Sequence, residues 1–268
     1  MVELIKHLNN WERVCVLSGA GLSAESGIPT FRGKDGLWNK FNPTELATFE
    51  AFSRDPNLVW KWYLWRMHLI ANARPNSAHY AIAEMEKLFP KFLHITQNVD
   101  GLHREAGSKR FVELHGHIFD GKCRFCGKHY PAEFFENLYP LASKNFLRTI
   151  SEEELKKEVF RRVDEGELPK CPNCGEIVGP GVVWFGESLR EDALEKAFSF
   201  SENCDVFIVV GTSGVVQPAA TLPLIAKRSG AYLIEVNPEE TPISHYCDLT
   251  LRESASSGLP KLLEALKS

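Results

Sequence analysis

The 268-residue sequence contains no apolar run near the roughly 20 residues that span a bilayer; its longest candidates, such as Val206 to Val210, are strand-sized. A soluble protein is expected. Met1 to Asn10 reads as a short amphipathic helix without the apolar stretch of a cleaved leader, and the first chemical motif follows nine residues later, so a cytoplasmic location is expected. Basic excess is also missing. With 31 Lys and Arg against 35 Asp and Glu, formal charge is -4, and no broad positive field exists to gather nucleic acid or anionic membrane. Internal repeats and low-complexity segments are absent. So is a disulfide framework: the seven cysteines are odd in number, and four fall in two C-x-x-C pairs, a pattern that favours metal.

What is present is an ordinary globular composition, 44% hydrophobic and 25% charged, sized for one large domain with a small satellite. Apolar, β-rich runs recur at Arg13 to Leu17, Phe92 to Thr96, Phe111 to Leu114, Val182 to Phe185, Asp205 to Val210, Tyr232 to Val236 and Asp248 to Leu251. Helical patterns lie among them at Leu58 to Asn72, Ser77 to Leu88, Glu191 to Phe198, Pro218 to Arg228 and Leu259 to Leu266. Strands that are apolar on both faces and alternate with helices imply an α/β, doubly wound, mainly parallel Rossmann-like sheet. Two stretches break the rhythm. One is Ser26 to Phe52, rich in Gly, Pro and Phe and part of a smaller insertion around 26–75 that forms a flap and helical part; the other, 118–181, is taken as an inserted zinc-binding module, which leaves 1–117 and 182–268 for the nucleotide-binding domain. The charged tract Ser151 to Glu167 reads as an exposed helix, and Cys15, Cys204 and Cys247 read as packing residues.

Chemistry concentrates at strand ends. The first strand runs into Gly19-Ala20-Gly21-Leu22-Ser23-Ala24, a G-x-G-x-x-A pattern. Its glycines let backbone amides approach a pyrophosphate and a helix N-terminus adds dipole, although a plain tight turn fits the glycines too. The following Glu25 to Gly33 cannot be a regular helix, so a nucleotide would be held otherwise than in a dehydrogenase. Polar turns at Gln97-Asn98-Val99-Asp100, Gly211-Thr212-Ser213 and Asn237-Pro238-Glu239 follow three more strands, on the edge where open α/β sheets bind ligands. His115 ends another and suits either a general base or a buried, hydrogen-bonded imidazole. Cys123, Cys126, Cys171 and Cys174, each pair followed by glycine, suit a closed, structural tetrahedral zinc site, with a redox dithiol as the alternative. In Trp60 to Arg66 the three tryptophans read as packing. Tyr63 and Arg66, three apart on one helical face, suit a carboxylate.

Taken together, GAGLSAESGIPTFRG (Gly19 to Gly33), TQNVDGLH (Thr96 to His103), HGH (His115 to His117), the cysteine pairs, VVWFGE (Val182 to Glu187), GTSGVVQPAA (Gly211 to Ala220) and EVNPEET (Glu235 to Thr241) resemble the sirtuins from Gly19 to about Ala255. The resemblance implies NAD as co-substrate, one structural zinc and acylated lysine of protein substrates as partner, with no membrane or nucleic-acid partner. It implies His115, Asn98 and Asp100 as catalytic residues, with Gly19, Ala20, Gly21, Ser23, Ala24, Thr30, Phe31, Arg32, Trp38 and Gln97 to Asp100 around NAD. Gly211, Thr212, Ser213, Asn237, Pro238, Glu239 and Ala255 complete the cofactor site, while Val183 and Phe185 would offer a strand edge to the peptide. A Y-x-x-R pair such as Tyr63 and Arg66 resembles that of the desuccinylating class, implying removal of succinyl, malonyl and acetyl groups.

Two departures stand out. Where the family often carries leucine and arginine before a proline, this chain has Val178-Gly179-Pro180-Gly181, and its spacer from Cys126 to Cys171 is long. The rival readings are a zinc-ribbon nucleic-acid binder, an ADP-ribosyl transferase and a plain NAD hydrolase. The first calls for basic residues beside the cysteines, where this chain has Glu133, Glu136 and Glu152 to Glu154.

Overall fold

The computed structural model describes residues 11–29 and 43–267. The helix expected over Met1 to Asn10 lies outside them, as do Thr30, Phe31, Arg32 and Trp38. Two compact units emerge, one from the described parts of 1–30, 74–114 and 189–268, the other from those of 31–73 and 115–188.

The first unit is built on six strands: β1 (Arg13–Ser18), β2 (Lys91–Thr96), β3 (Phe111–Glu113), β7 (Val206–Val210), β8 (Tyr232–Val236) and β9 (Leu249–Leu251). All pair in parallel, in the order β3-β2-β1-β7-β8-β9. Parallel strands put every carboxyl end on one edge, and the chain reverses its direction of winding between β1 and β7, where such sheets open a crevice. Alternation explains why β1 is apolar from Val14 to Leu17. Val14 and Val16 face a layer with Ile82, Met85, Leu259 and Leu262, whereas Cys15 and Leu17 face Leu93, Ala197, Phe207 and Ala226. Helices therefore cover both faces. Cys204 lies in the second layer and Cys247 is half-buried against it, in line with their reading as packing residues.

The second unit holds a three-stranded antiparallel sheet, β5-β4-β6, made of β4 (Gly116–Cys123), β5 (His129–Tyr130) and β6 (Val178–Val182). Here the structure corrects the sequence reading. The strand expected at Val182 to Phe185 ends at Val182 and begins earlier, in the glycine- and proline-bearing segment that pairs with β4. Beyond it only Phe185 makes an isolated bridge, to Thr48. Helix α1 (Pro56–Asn72) of this unit starts with Asp55 accepting from the Leu58 amide at 2.9 Å and proline in its first turn, a standard helix start. The charged tract is helical over Glu152–Glu154 and Phe160–Asp164, with one wider π turn, Leu155–Val159, that buries Leu155 and Val159.

Candidate functional site

In the first unit the glycine loop and the turn after β7 lock together. Gly19 N–H donates to the Val210 carbonyl at 3.0 Å and Gly21 N–H to the Gly211 carbonyl at 2.8 Å. The approach admits no side chain: a Cβ on Gly21 would lie 2.7 Å from Gly211 Cα, and one on Gly19 would lie 2.8 Å from Thr212 Cα. Gly211 itself sits at φ 57°, in the left-handed region. The loop continues as two 3₁₀ turns, Ala20–Leu22 and Ala24–Ser26, not as an α-helix. The amides of Gly19, Gly21, Leu22 and Ser23 are taken within the chain, which leaves those of Ala20 and Ala24 for an anion, and the expected helix dipole is absent.

Around this loop the turns at the carboxyl ends of the strands supply buried polar groups. Asn98 donates from Nδ2 to the Gly19 carbonyl at 3.0 Å and to Ser23 Oγ at 3.2 Å, and the Ser23 hydroxyl donates to Asp100 Oδ2 at 2.7 Å. Asp100 also accepts from the Leu102 amide at 2.9 Å, which fixes its carboxylate. Gln97 Nε2 donates to Thr212 Oγ1 at 3.0 Å, and Asn237 Nδ2 to the Thr212 carbonyl at 2.8 Å. Gly19 to Ser23, Gln97 to Asp100, Gly211, Thr212 and Asn237 are thus one hydrogen-bonded group. Ser213 and the Pro238-Glu239 turn flank it in sequence, and Ala255 begins the helix Ala255–Lys267.

One member escaped the sequence reading. His79 Nε2 lies 3.3 Å from Ser23 Oγ, while its Nδ1 accepts from the Asn76 amide at 3.2 Å in a capping box that opens helix α2 (Ser77–Leu88). An Asn-x-x-His step before an apolar helical run was the available signal. Burial pushes the His79 imidazole well below its ordinary value against the pull of Asp100, and burial does the same to His94, 2.8 Å from Ser18 Oγ.

In the second unit, His115 is half-buried, and its carbonyl accepts from Val183 N–H at 2.9 Å. Gly116 follows at φ 77°, with the Gly181 carbonyl 2.2 Å from where a Cβ would stand, so only glycine fits after this histidine. The VVWFGE segment is more occupied than a free strand edge. Val183 N–H is taken by His115, Trp184 N–H by Glu187 Oε2 at 3.0 Å and Phe185 N–H by the Ala47 carbonyl at 2.9 Å. These three amides are thus already paired within the chain. What Phe185 presents is a ring, 48% exposed.

Cys123, Cys126, Cys171 and Cys174 bring their four sulfurs within 4.8 Å of one another. Each pair lies in a turn closed by the amide of the following glycine, Gly127 onto Cys123 and Gly175 onto Cys171, both glycines being left-handed. Four converging sulfurs fit one tetrahedral zinc with no open position. The Tyr130 hydroxyl lies 2.9 Å from Cys171 Sγ, a hydrogen-bonding neighbour to a ligand sulfur.

Tyr63 is buried, and its hydroxyl oxygen accepts from Trp184 Nε1 at 2.8 Å. Burial pushes its pKa up to about 12, the Arg66 charge opposing, so the phenol keeps its proton at neutral pH. The Arg66 guanidinium lies 4.9 Å over the Trp62 ring and 5.8 Å over that of Tyr63, so the two residues share one helical face as their spacing indicates. Trp60 and Trp62 are buried packing residues. Among the described residues no helix is long and apolar enough to cross a membrane.

The Sir2 family profile matches residues 19–218. An NAD-dependent protein deacylase of Aquifex aeolicus is 53% identical over 255 residues, 95% of each chain, and one of Pyrococcus abyssi is 46% identical over 267 residues, all of this chain and 98% of its own. Among solved structures, a Sir2 homolog–NAD complex aligns with a TM-score of 0.83 at 44% identity, covering 99% of this chain and 93% of its own. A Sir2–p53 peptide–NAD+ complex aligns with a TM-score of 0.77 at 32% identity over 98% and 96%. Glycine loop, polar strand ends and cysteine cluster sit in a chain that matches these relatives along nearly its whole length, and the chain belongs to the Sir2 family.

Proposed function

We propose that this chain is an NAD-dependent protein-lysine deacylase that removes acetyl and succinyl groups, and malonyl groups with them, yielding nicotinamide, O-acyl-ADP-ribose and free lysine. The observation that carries the reading is the lock between Gly19 to Ser23 and the Gly211-Thr212 turn, ringed by Asn98, Asp100 and Asn237. Two Cβ-free approaches and a set of fixed dipoles at the β1/β7 switch point fit a dinucleotide with a pyrophosphate. NAD supplies the electrophilic ribose carbon that takes the acyl oxygen once nicotinamide has left.

Each role then falls to a residue of matching chemistry. The amides of Ala20 and Ala24, the two in this stretch that the loop does not take for itself, meet phosphate oxygens; Asp100, held by Ser23 and the Leu102 amide, accepts from a carboxamide; Asn98, pinned to the loop, orients a water. His115 takes a ribose hydroxyl proton as general base. Val183 and Phe185 flank the acyl-lysine, and the four cysteines hold a structural zinc. Tyr63 and Arg66 receive the distal carboxylate of a succinyl group, the phenol donating its retained proton and the guanidinium its paired N–H groups.

The test is mass spectrometry of one peptide carrying acetyl- or succinyl-lysine, incubated with NAD. O-acyl-ADP-ribose and deacylated peptide are expected from both. Free ADP-ribose with intact peptide would identify a hydrolase, and a peptide gaining ADP-ribose a transferase. For the acid pocket, Arg66→Met and Tyr63→Phe should slow the succinyl reaction by roughly 10- to 150-fold, the equivalent of about 1.5 to 3 kcal/mol, and the acetyl reaction far less. Equal slowing of both would reduce the pair to packing.

A further inference from the structure

Position 124 sits between two metal-binding cysteines, next to Phe125, which is 77% exposed. A solvated side chain is the ordinary expectation there. Instead the Arg124 side chain is 4% exposed and every nitrogen of its guanidinium is engaged. Nε donates to Glu187 Oε1 at 3.1 Å, Nη1 to the carbonyls of Lys122 at 3.0 Å and Pro180 at 2.7 Å, and Nη2 to that of Val182 at 2.6 Å. Its flat face lies 3.7 Å over the Trp184 ring. A desolvated guanidinium with four of its five N–H donors paired is a rigid part, since moving it would strand both a charge and several carbonyls.

What this part holds is the segment beside Tyr63. Glu187, fixed by Arg124 through one oxygen, accepts the Trp184 N–H through the other, and Trp184 donates its indole N–H to the Tyr63 oxygen. Room for the guanidinium comes from Gly179, where a Cβ would stand 3.0 Å from Arg124 Nη1 and 3.1 Å from Trp184 Cη2. Gly179 thus leaves on β6 the space that a side chain from the cysteine knuckle fills.

We propose that Arg124 is a positioning residue that sets the acyl-lysine segment from inside the metal knuckle, by clamping Trp184 onto Tyr63. It touches no substrate; it acts through Glu187, Trp184 and Gly179. The kinetic part rests on the proposed role of Val183 to Phe185 and Tyr63. The structural part does not.

The test uses the full-length, zinc-loaded protein. The Trp184 indole N–H resonance, assigned by its loss in Trp184→Phe, is followed by hydrogen exchange in wild type, Arg124→Met and Gly179→Ala, with bound zinc measured on each sample. Arg124→Met should retain zinc, exchange the Trp184 indole about tenfold faster or more, and raise the acyl-peptide KM about fivefold with NAD KM unchanged. Gly179→Ala leaves the knuckle sequence intact and pushes on the same guanidinium and ring, so it should speed exchange in the same sense. Wild-type exchange in a zinc-loaded Arg124→Met protein overturns the proposal. If Arg124→Met loses zinc, Gly179→Ala decides, and wild-type exchange in that variant overturns it equally. A wild-type protein without deacylase activity would instead sink the functional reading, while the indole exchange still scores the clamp.

Discussion

Gly21→Ala is the sharpest probe of the nucleotide loop. The new methyl would stand 2.7 Å from Gly211 Cα and 2.8 Å from the Gly211 carbonyl oxygen, whereas ordinary contact begins at 3.4 Å. Backbone lies on both sides, so no side chain can swing away. Gly211 is confined in turn: its own Cβ position is 2.6 Å from the Gly21 carbonyl carbon, and its N–H is held by the Val236 carbonyl at 3.1 Å. The loops must part by about 0.7 Å, and forced overpacking of this kind costs about 1 to 3 kcal/mol. In a protein of this size that lowers Tm by roughly 3 to 10 °C. Parting them also breaks the 2.8 Å bond from Gly21 N–H to the Gly211 carbonyl and displaces the amides proposed to meet the pyrophosphate. Calorimetric titration with ADP-ribose should show Kd rising about tenfold or more, equivalent to about 1.4 kcal/mol. Gly230→Ala is the control: at φ 96° with open space around it, it strains a remote turn and should lower Tm while leaving Kd alone. Wild-type Tm and Kd in Gly21→Ala would refute the argument from close approach.

Three other expectations follow from the described geometry. His115→Ala should abolish NAD-dependent deacylation while zinc content and Tm stay near wild type; a folded variant with full activity removes His115 as the base. Cys171→Ser should lose metal and fold together, because a structural zinc contributes on the order of 10 kcal/mol; elemental analysis of folded wild type without zinc would contradict the site. Stability should fall as pH drops below about 6.5, since His79 and His94 are held neutral in the fold while the unfolded chain takes up their protons. Depressed histidines contribute in full above the unfolded value and less below it, so urea midpoints between pH 7.5 and 5 should slope less in His79→Gln; identical slopes would clear His79 of the effect.

The parallel sheet was legible because Val14 to Leu17 and Val206 to Val210 are apolar on both faces, and Tyr232 to Val236 is so apart from Glu235, a requirement that a doubly covered strand imposes. The metal cluster was legible because two C-x-x-C-G turns fix thiols almost independently of their surroundings. Where reading failed, the deciding contact was remote in sequence. Val182 to Phe185 looks more strand-like than Val178 to Val182, yet β4 pairs with the latter, and small residues there leave space for Arg124 and Trp184. β4 itself was missed because Gly116 and Gly121 interrupt its alternation; a Cβ on Gly121 would meet the Phe135 ring at 2.4 Å. His79 gave little local sign of its part, which depends on Ser23, 56 residues away.

The central place of β1 has a consequence during synthesis. Its neighbours β2 and β7 pair Arg13 with Lys91 and Val14 with Val206. A ribosome adding about 5 to 20 residues per second supplies the second neighbour roughly 10 to 40 seconds after β1. Over that interval the Val14 to Leu17 edge is open to other chains, and the glycine loop lacks the Val210 and Gly211 carbonyls that hold it. Nascent chains halted before residue 206 are therefore expected to be prone to aggregation and unable to retain NAD, however much of the cysteine knuckle has already formed.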